Sequence, residues 1–208
     1  MFLALLLLAA GGGASCVASS AAGQAPIVQP GAPGQPARTI GADEAASHTA
    51  PGYTAADARF MQGMIGHHAQ AVEMVALVAD RTATEDLKRL GLRIQVSQED
   101  EIKMMQDWLK ARGAEVPGPH AHHTGPMMPG MLSADEMARL AAAKGVEFDR
   151  QFLNGMLKHH NGALIMVDGL FATPGAAQDS DIYAFASDVI ADQRMEMDRM
   201  AVMLKELK

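Results

Sequence analysis

The sequence predicts an all-α fold, an antiparallel four-helix bundle built from two copies of one helical hairpin. Three observations predict it. The stretch from Phe60 to Val75 (FMQGMIGHHAQAVEMV) recurs from Phe152 to Val167 (FLNGMLKHHNGALIMV), 92 positions later, with Phe, Gly, Met, His-His, Ala, Met and Val in register. A match of that kind marks an internal duplication. Apolar residues recur with helical period, and no stretch alternates as strand residues do. Each duplicated stretch is followed by a second helix carrying Gln-x-x-Glu, QEDEIKMM from Gln98 and QRMEMDRM from Gln193, so the repeat unit is a helix pair. Two such pairs bury their apolar stripes best against one another.

Taken in order, the chain opens with an apolar run, Phe2 to Ala10, that is too short to span a membrane and reads as the core of an export signal. It lacks a charged leading segment. Gly13, Ala14 and Ser15 precede Cys16, the sole cysteine, in a pattern that resembles a bacterial lipoprotein processing site, although Gly13 stands where an aliphatic residue is usual. Residues 1–16 are therefore expected to be a signal peptide of lipoprotein type, with Cys16 as the lipidation position; the alternative is a plain signal cleaved nearby. A cysteine-free mature domain suits an oxidising periplasm or cell envelope. Residues 17–52, rich in Ala, Gly, Pro and Ser, are expected to be a flexible tether in which His48 has no role.

The bundle is expected over 53–208. Thr54 and Asp57 form a capping-box start for a helix over about 55–80. A Thr-rich break at Arg81 to Thr84 caps the next, about 85–111, which ends before Gly113 and Pro117. The Gly/Pro-rich connection at 113–132 carries His120, His122, His123, Met127, Met128 and Met131. Ser133 to Glu136 (SADE) starts a short helix by the same capping logic, and Lys144 and Gly145 interrupt it. The third long helix covers about 146–171, Thr173 to Gly175 break the chain, and the last helix covers about 180–207.

Placed on a helix, each repeat is amphipathic. His67 and His68 fall on the apolar face with Met64 one turn earlier, and Gln62, Gly66, Gln70 and Glu73 take the opposite face. The second copy repeats this with Met156, His159 and His160, while Asn154, Lys158 and Asn161 point outward. Buried imidazoles need partners for both ring nitrogens. Gln98, Glu101, Gln193 and Glu196 interrupt the facing stripes and are the natural partners, as hydrogen-bonding supports of the rings or as ligands in their own right. Paired His beside Met, twice over and without thiolate, suits copper, Cu(I) above all, and would accept Ag(I). Zinc is poorly served by thioethers. The metal ligands expected are His67, His68, His159, His160, Met64 and Met156. The His/Met-rich connection is either a copper-capture segment (His120, His122, His123, Met127, Met128, Met131) or a polar loop with Met131 packed on the bundle. A Met at helical spacing is otherwise core filler, the reading kept for Met74, Met104, Met105, Met166 and Met200.

The F-x-x-G-M-x-x-H-H pattern at Phe60 and Phe152, the PGMLS hinge ending at Ser133, and the Q-x-x-E helices from Gln98 and Gln193 resemble a family of bacterial envelope proteins long catalogued as a domain of unknown function, which includes the copper-binding protein CopM. The likeness covers about 50–208. It implies a ferritin-like helical bundle exported to the envelope, with copper binding and copper tolerance known for some members. It carries His67, His68, His159, His160, Met64 and Met156 over as ligands, and Glu101 and Glu196 less directly.

Composition narrows the alternatives. A net charge of -7 without a basic run excludes nucleic acid as a partner. The expected partners are a metal ion and envelope copper-handling proteins, with the membrane engaged only through a signal or lipid anchor. A di-metal carboxylate oxidase would need Glu-x-x-His motifs on paired helices, and the sequence has none. No Ser or Cys sits in an activating motif, so the chain is not read as an enzyme. The remaining alternative is a structural or partner-binding bundle in which the His/Glu pairs are a buried polar network.

Overall fold

The computed structural model describes residues 26–29, 36–47, 52–118 and 127–207. The export signal with Cys16, His48, and the loop histidines His120, His122 and His123 lie outside the described residues. The chain divides into two units, Met1–Thr49 and Ala50–Lys208. In the first, the strands β1 (Ile27–Gln29) and β2 (Arg38–Ile40) pair antiparallel, and a short helix α1 (Ala42–Ser47) follows. These elements were not foreseen, because runs of three residues are too brief for alternation to show.

The second unit is all helical among its described residues. Its helices are α2 (Ala55–Ala76), α3 (Val78–Arg81), α4 (Glu85–Ala111), α5 (Ala134–Ala142), α6 (Gly145–Phe171) and α7 (Ser180–Glu206). The all-α expectation holds. Capping boxes close the starts of α2 (Thr54 with Asp57) and α5 (Ser133 with Glu136), each N-cap hydroxyl accepting from the backbone of the acid that returns the bond. Two local expectations need correction. The first long helix breaks at Leu77, whose N–H turns back to Met74 and Val75 carbonyls, so α3 is a separate turn. Thr84 does not cap α4 through its side chain; its hydroxyl donates to Asp149 instead.

Helix α2 packs against α4, α6 against α7, and α2 against α6. Direction follows from the pairings. His68 meets Glu101 while Gln62 meets the Glu115 carbonyl, so α2 and the chain of α4 run oppositely. Helices α2 and α6 are also antiparallel, and their contact shows the duplication in space. A Cβ built at Gly63 would touch the Met166 methyl at 3.4 Å, and one at Gly155 would touch the Met74 methyl at 3.2 Å. The repeat offset of 92 carries Gly63 to Gly155 and, in the other direction, Met166 to Met74, so the two contacts are one contact exchanged between helices, as a pseudo-twofold axis requires.

The core falls into two apolar halves, and all four long helices enter both. One half gathers Phe60, Met61 and Met64 from α2 with Met105 and Trp108 from α4, Ala163 and Val167 from α6, and Ile182 and Phe185 from α7. The other gathers Met74 and Val75, Leu87 and Ile94, Phe152 and Met156, and Met200 and Met203 from the same helices. The two sets are each other's repeat partners. Between them in sequence, on every long helix, lie the buried polar residues His67, His68, Gln98, His159, His160, Gln193 and Glu196.

A strap, residues 128–132, crosses the α2–α6 seam and breaks the symmetry. Gln70 holds it by two bonds, its Nε2 donating to the Leu132 carbonyl (2.9 Å) and its Oε1 accepting from the Leu132 N–H (2.7 Å). Gln70 is therefore buried rather than outward-facing. Gly66, also assigned to the outer face, is buried too. On the α6 side the strap lies directly on Gly162, where a Cβ would fall 2.0 Å from the Pro129 oxygen. Gly130 has φ +75, and its own Cβ would meet the Lys158 oxygen at 2.4 Å. Two glycines are required at one crossing, since backbone on both sides cannot give way.

Gly162→Ala should therefore destabilise the bundle by about 1–3 kcal/mol in urea unfolding, as overpacking does. The neighbouring exposed position supplies the control, Asn161→Ala changing stability by no more than about 0.5 kcal/mol. Equal stability of the two variants would contradict the backbone crossing.

Candidate functional site

The four paired histidines are fully buried, each with 0% exposure. Helical spacing turns His67 and His159 toward each other across the α2–α6 contact, their ring centroids 3.8 Å apart and their planes tilted by 38°. His68 and His160 turn away toward the partner helix of their own hairpin, with centroids 6.3 Å from His67 and 6.2 Å from His159. The duplication thus builds one continuous row of imidazoles, His68, His67, His159, His160, running across the bundle.

Every Nε2 in the row has an acceptor. His68 donates to Glu101 Oε2 (2.5 Å) and His160 to Glu196 Oε2 (2.7 Å), the same bond in both hairpins. His159 donates to the His67 carbonyl (2.9 Å) and His67 to the Pro129 carbonyl of the strap (3.0 Å). A carbonyl can only accept, so the proton of these two rings sits on Nε2. All four Nδ1 atoms are buried and, among the described residues, without a hydrogen-bond partner. They are lone pairs held inside the core.

The carboxylates are themselves braced. Ser97 Oγ donates to Glu101 Oε1 (3.2 Å), and Arg93 Nε approaches Glu196 Oε1 at 3.5 Å. Glu196 is buried, whereas the Glu101 side chain keeps 17% exposure. Asp192 is pushed above the usual carboxylate range by burial and then by the charges of Glu101 and Glu196, with Arg93 opposing. Gln98 and Gln193 are buried as expected, and the Oε1 of each is also unpartnered among the described residues.

Burial sets the protonation of the inner pair. The His67 imidazole is lowered to about 3, by desolvation first and then by His68, against the raising effect of its bond to Pro129. His159 is also held well below its ordinary value, by desolvation and then by His67 and His160. Both rings are neutral at physiological pH, the form in which imidazole binds a metal.

Met64 and Met156 are fully buried, one in each apolar half of the core. Of the connection's methionines, Met127 is exposed, Met128 is half-buried with its sulfur near Gly63, and Met131 is buried. Among the described residues no three His, Cys, Asp or Glu side chains converge as a metal site. Sequence reasoning missed Pro129, whose backbone carbonyl leaves no side-chain signal, and the buried clamp at Gln70. The PGMLS hinge was the nearest visible sign of both.

The family model for a domain of unknown function, DUF305, matches residues 57–204. Solved structures share the fold. A DUF305 protein of Streptomyces coelicolor is 32% identical, with a TM-score of 0.64, and the match covers 73% of this chain and 93% of that one. A DUF305 fragment from Deinococcus radiodurans is 31% identical, with a TM-score of 0.64, covering 76% of this chain and 100% of that one. CopM in its Cu(II)-bound form is 28% identical, with a TM-score of 0.61, covering 73% of this chain and 97% of that one. CopM is also known in Cu(I)-bound and Ag-bound forms. No curated protein sequence matches the chain.

The lowered inner pair couples stability to pH. The unfolded chain takes up protons on His67 and His159 below about pH 6.5, while the folded chain does not until His67 reaches about 3. Stability should thus be level above about pH 7.5 and fall on acidification, approaching about 1.4 kcal/mol per pH unit for each ring. Urea unfolding at pH 7.5 and pH 5 should differ by roughly 2 kcal/mol from His67, with His159 adding in the same direction. Unchanged stability over that interval would mean that the inner histidines are not buried neutral.

Proposed function

This chain belongs to the DUF305 family, and on that premise we propose that it is an exported metal-binding protein whose metal is copper, Cu(I) in preference. One observation carries the reading: the row of four buried imidazoles with every Nε2 engaged and every Nδ1 unpartnered. An unpartnered buried polar atom costs about 1–3 kcal/mol, and here the same cost is met four times in one layer. A metal that takes nitrogen lone pairs would remove it. The ligands are then His67, His68, His159 and His160, with Met64 and Met156 as the thioethers. Glu101 and Glu196 hold the outer rings in the tautomer that leaves Nδ1 free, and Gln98 and Gln193 stand as further oxygen donors or supporting groups.

The donor set selects the metal. Imidazole and thioether are soft or borderline ligands, and Cu(I) and Ag(I) accept few of them. Zinc is poorly served by thioethers, and a di-metal oxidase needs Glu-x-x-His motifs that the sequence lacks. The relative CopM has been seen with Cu(I), Cu(II) and Ag bound, which supports the choice. The Streptomyces relative carries the description of a secreted protein, and no helix among the described residues is long and apolar enough to cross a membrane. We place the chain outside the cytoplasm, tethered through residues 17–52 and lipidated at Cys16, with the His/Met segment at 120–131 as a capture site for copper. Buffering, trafficking and copper tolerance are the roles such a protein serves.

That no three His, Cys, Asp or Glu side chains converge among the described residues favours a second reading, a partner-binding bundle in which the His/Glu pairs only fix helix register. The two separate on metal titration of the full chain beside the variant with all four histidines changed to Asn. Wild type should take up one or more Cu(I), and the folded quadruple variant none. Glu101→Gln and Glu196→Gln should each weaken binding about 10–100-fold, as loss of a ligand's hydrogen-bond partner does. Cu(I) uptake undiminished in the folded quadruple variant would remove the histidine layer from the copper reading.

A further inference from the structure

The duplication places an aspartate at the same point of each hairpin, Asp57 in α2 and Asp149 in α6, again 92 positions apart, and both are buried. Asp57 is fully used. Its Oδ2 accepts from the N–H (2.6 Å) and the hydroxyl (2.9 Å) of Thr54, and its Oδ1 accepts from the Ala177 N–H (2.7 Å) in the α6–α7 loop. Asp149 differs. Helix α6 starts at Gly145, two positions earlier than α2 does relative to its repeat, so Asp149 lies past the first turn and caps nothing. Its Oδ2 accepts from the Thr84 hydroxyl (2.5 Å), and its Oδ1 is buried with no hydrogen-bond partner among the described residues.

That residue lines a cleft of about 310 Å³ at the end of the bundle, between the starts of α4 and α6 and the end of α7. The other walls are largely hydrocarbon, from Leu87, Val146, Leu153 and Met203, with Glu206 exposed beside them. Asp86 also borders it, but Arg89 and Arg199 already pair with that carboxylate. The volume is at the small end of the range for ligand pockets, roughly 300–1,000 Å³.

We propose that this cleft binds a primary alkylammonium group, which donates to Asp149 Oδ1 and lays its short stem against the apolar walls. The buried oxygen wants a donor, and a cationic donor is favoured over a neutral one because the acceptor is a carboxylate. An anion is disfavoured by Asp149 and Glu206, and the chain as a whole carries -7. A metal ion is disfavoured because no three acidic or imidazole side chains converge among the described residues and because Asp86 is already paired with two arginines. The site shares no residue with the histidine layer and is independent of the copper reading.

The test is a titration of the full chain, followed by amide NMR shifts, with n-butylammonium and its neutral counterpart n-butanol. Butylammonium should bind in fast exchange with shifts centred on Thr84, Asp149 and Leu153, and butanol at least tenfold more weakly. Asp149→Asn, which keeps the side-chain volume, should weaken butylammonium at least tenfold. Should that variant fold poorly, Val146→Trp serves instead, since Val146 is half exposed at the cleft and a large ring there blocks access without touching Asp149. Nα-acetyl-lysine methylamide, run in parallel, distinguishes the source: tighter binding of it assigns the ammonium to a protein lysine, and tighter binding of butylammonium to a free amine. No shift with either cation, or equal affinity in the folded Asp149→Asn or Val146→Trp protein, would overturn the proposal.

Discussion

Four imidazoles buried in a helical core impose the constraint on which the rest depends. Each ring must give its N–H to something fixed, and a bundle interior offers only a few acceptors. The outer rings take carboxylates from the facing helices, Glu101 and Glu196. The inner rings take main-chain carbonyls, of His67 and Pro129. Those four bonds tie α2 to α4, α6 to α7, α6 to α2, and the strap to α2. The helix register of the whole unit is therefore written into the hydrogen bonds of one polar layer, and the apolar halves above and below it need only fill space.

Duplication accounts for most of that arrangement and its failures are informative. Met74 and Met166 make the same contact with opposite glycines, and Glu101 and Glu196 make the same bond. Perfect symmetry would also have His67 donate to the His159 carbonyl, as His159 does to His67. The strap intervenes, and Pro129 takes that proton instead. At the same crossing the repeat partners Gln70 and Gly162 have diverged completely, one into a two-point clamp on Leu132 and the other into a bare surface for Pro129. A single connecting chain can cross a twofold axis on only one side, so one copy must clasp it and the other must make room.

Much of this was legible in the sequence. Helix starts at Thr54 and Ser133 follow from capping chemistry within four residues, and burial of the paired histidines follows from periodicity. Glu101 and Glu196 as ring partners follow from polar residues interrupting an apolar stripe. What escaped is tertiary. Gln70 has its partner 62 positions away, on a loop, and on a helix wheel it looks solvent-facing. The Pro129 acceptor is a backbone oxygen, which no side-chain pattern announces. Thr84 reads as a cap because of its neighbours, yet Asp149 on another helix competes for its hydroxyl.

A layer that draws equal shares from two hairpins would, on separate polypeptides, come apart on dilution, because its two halves would be held only by a dimer's dissociation constant. Covalent linkage through the strap makes the encounter intramolecular, at an effective concentration set by chain length rather than by expression level. The imidazole row therefore persists at nanomolar protein as well as at millimolar. However dilute the protein, its full complement of ring-bearing helices stays face to face.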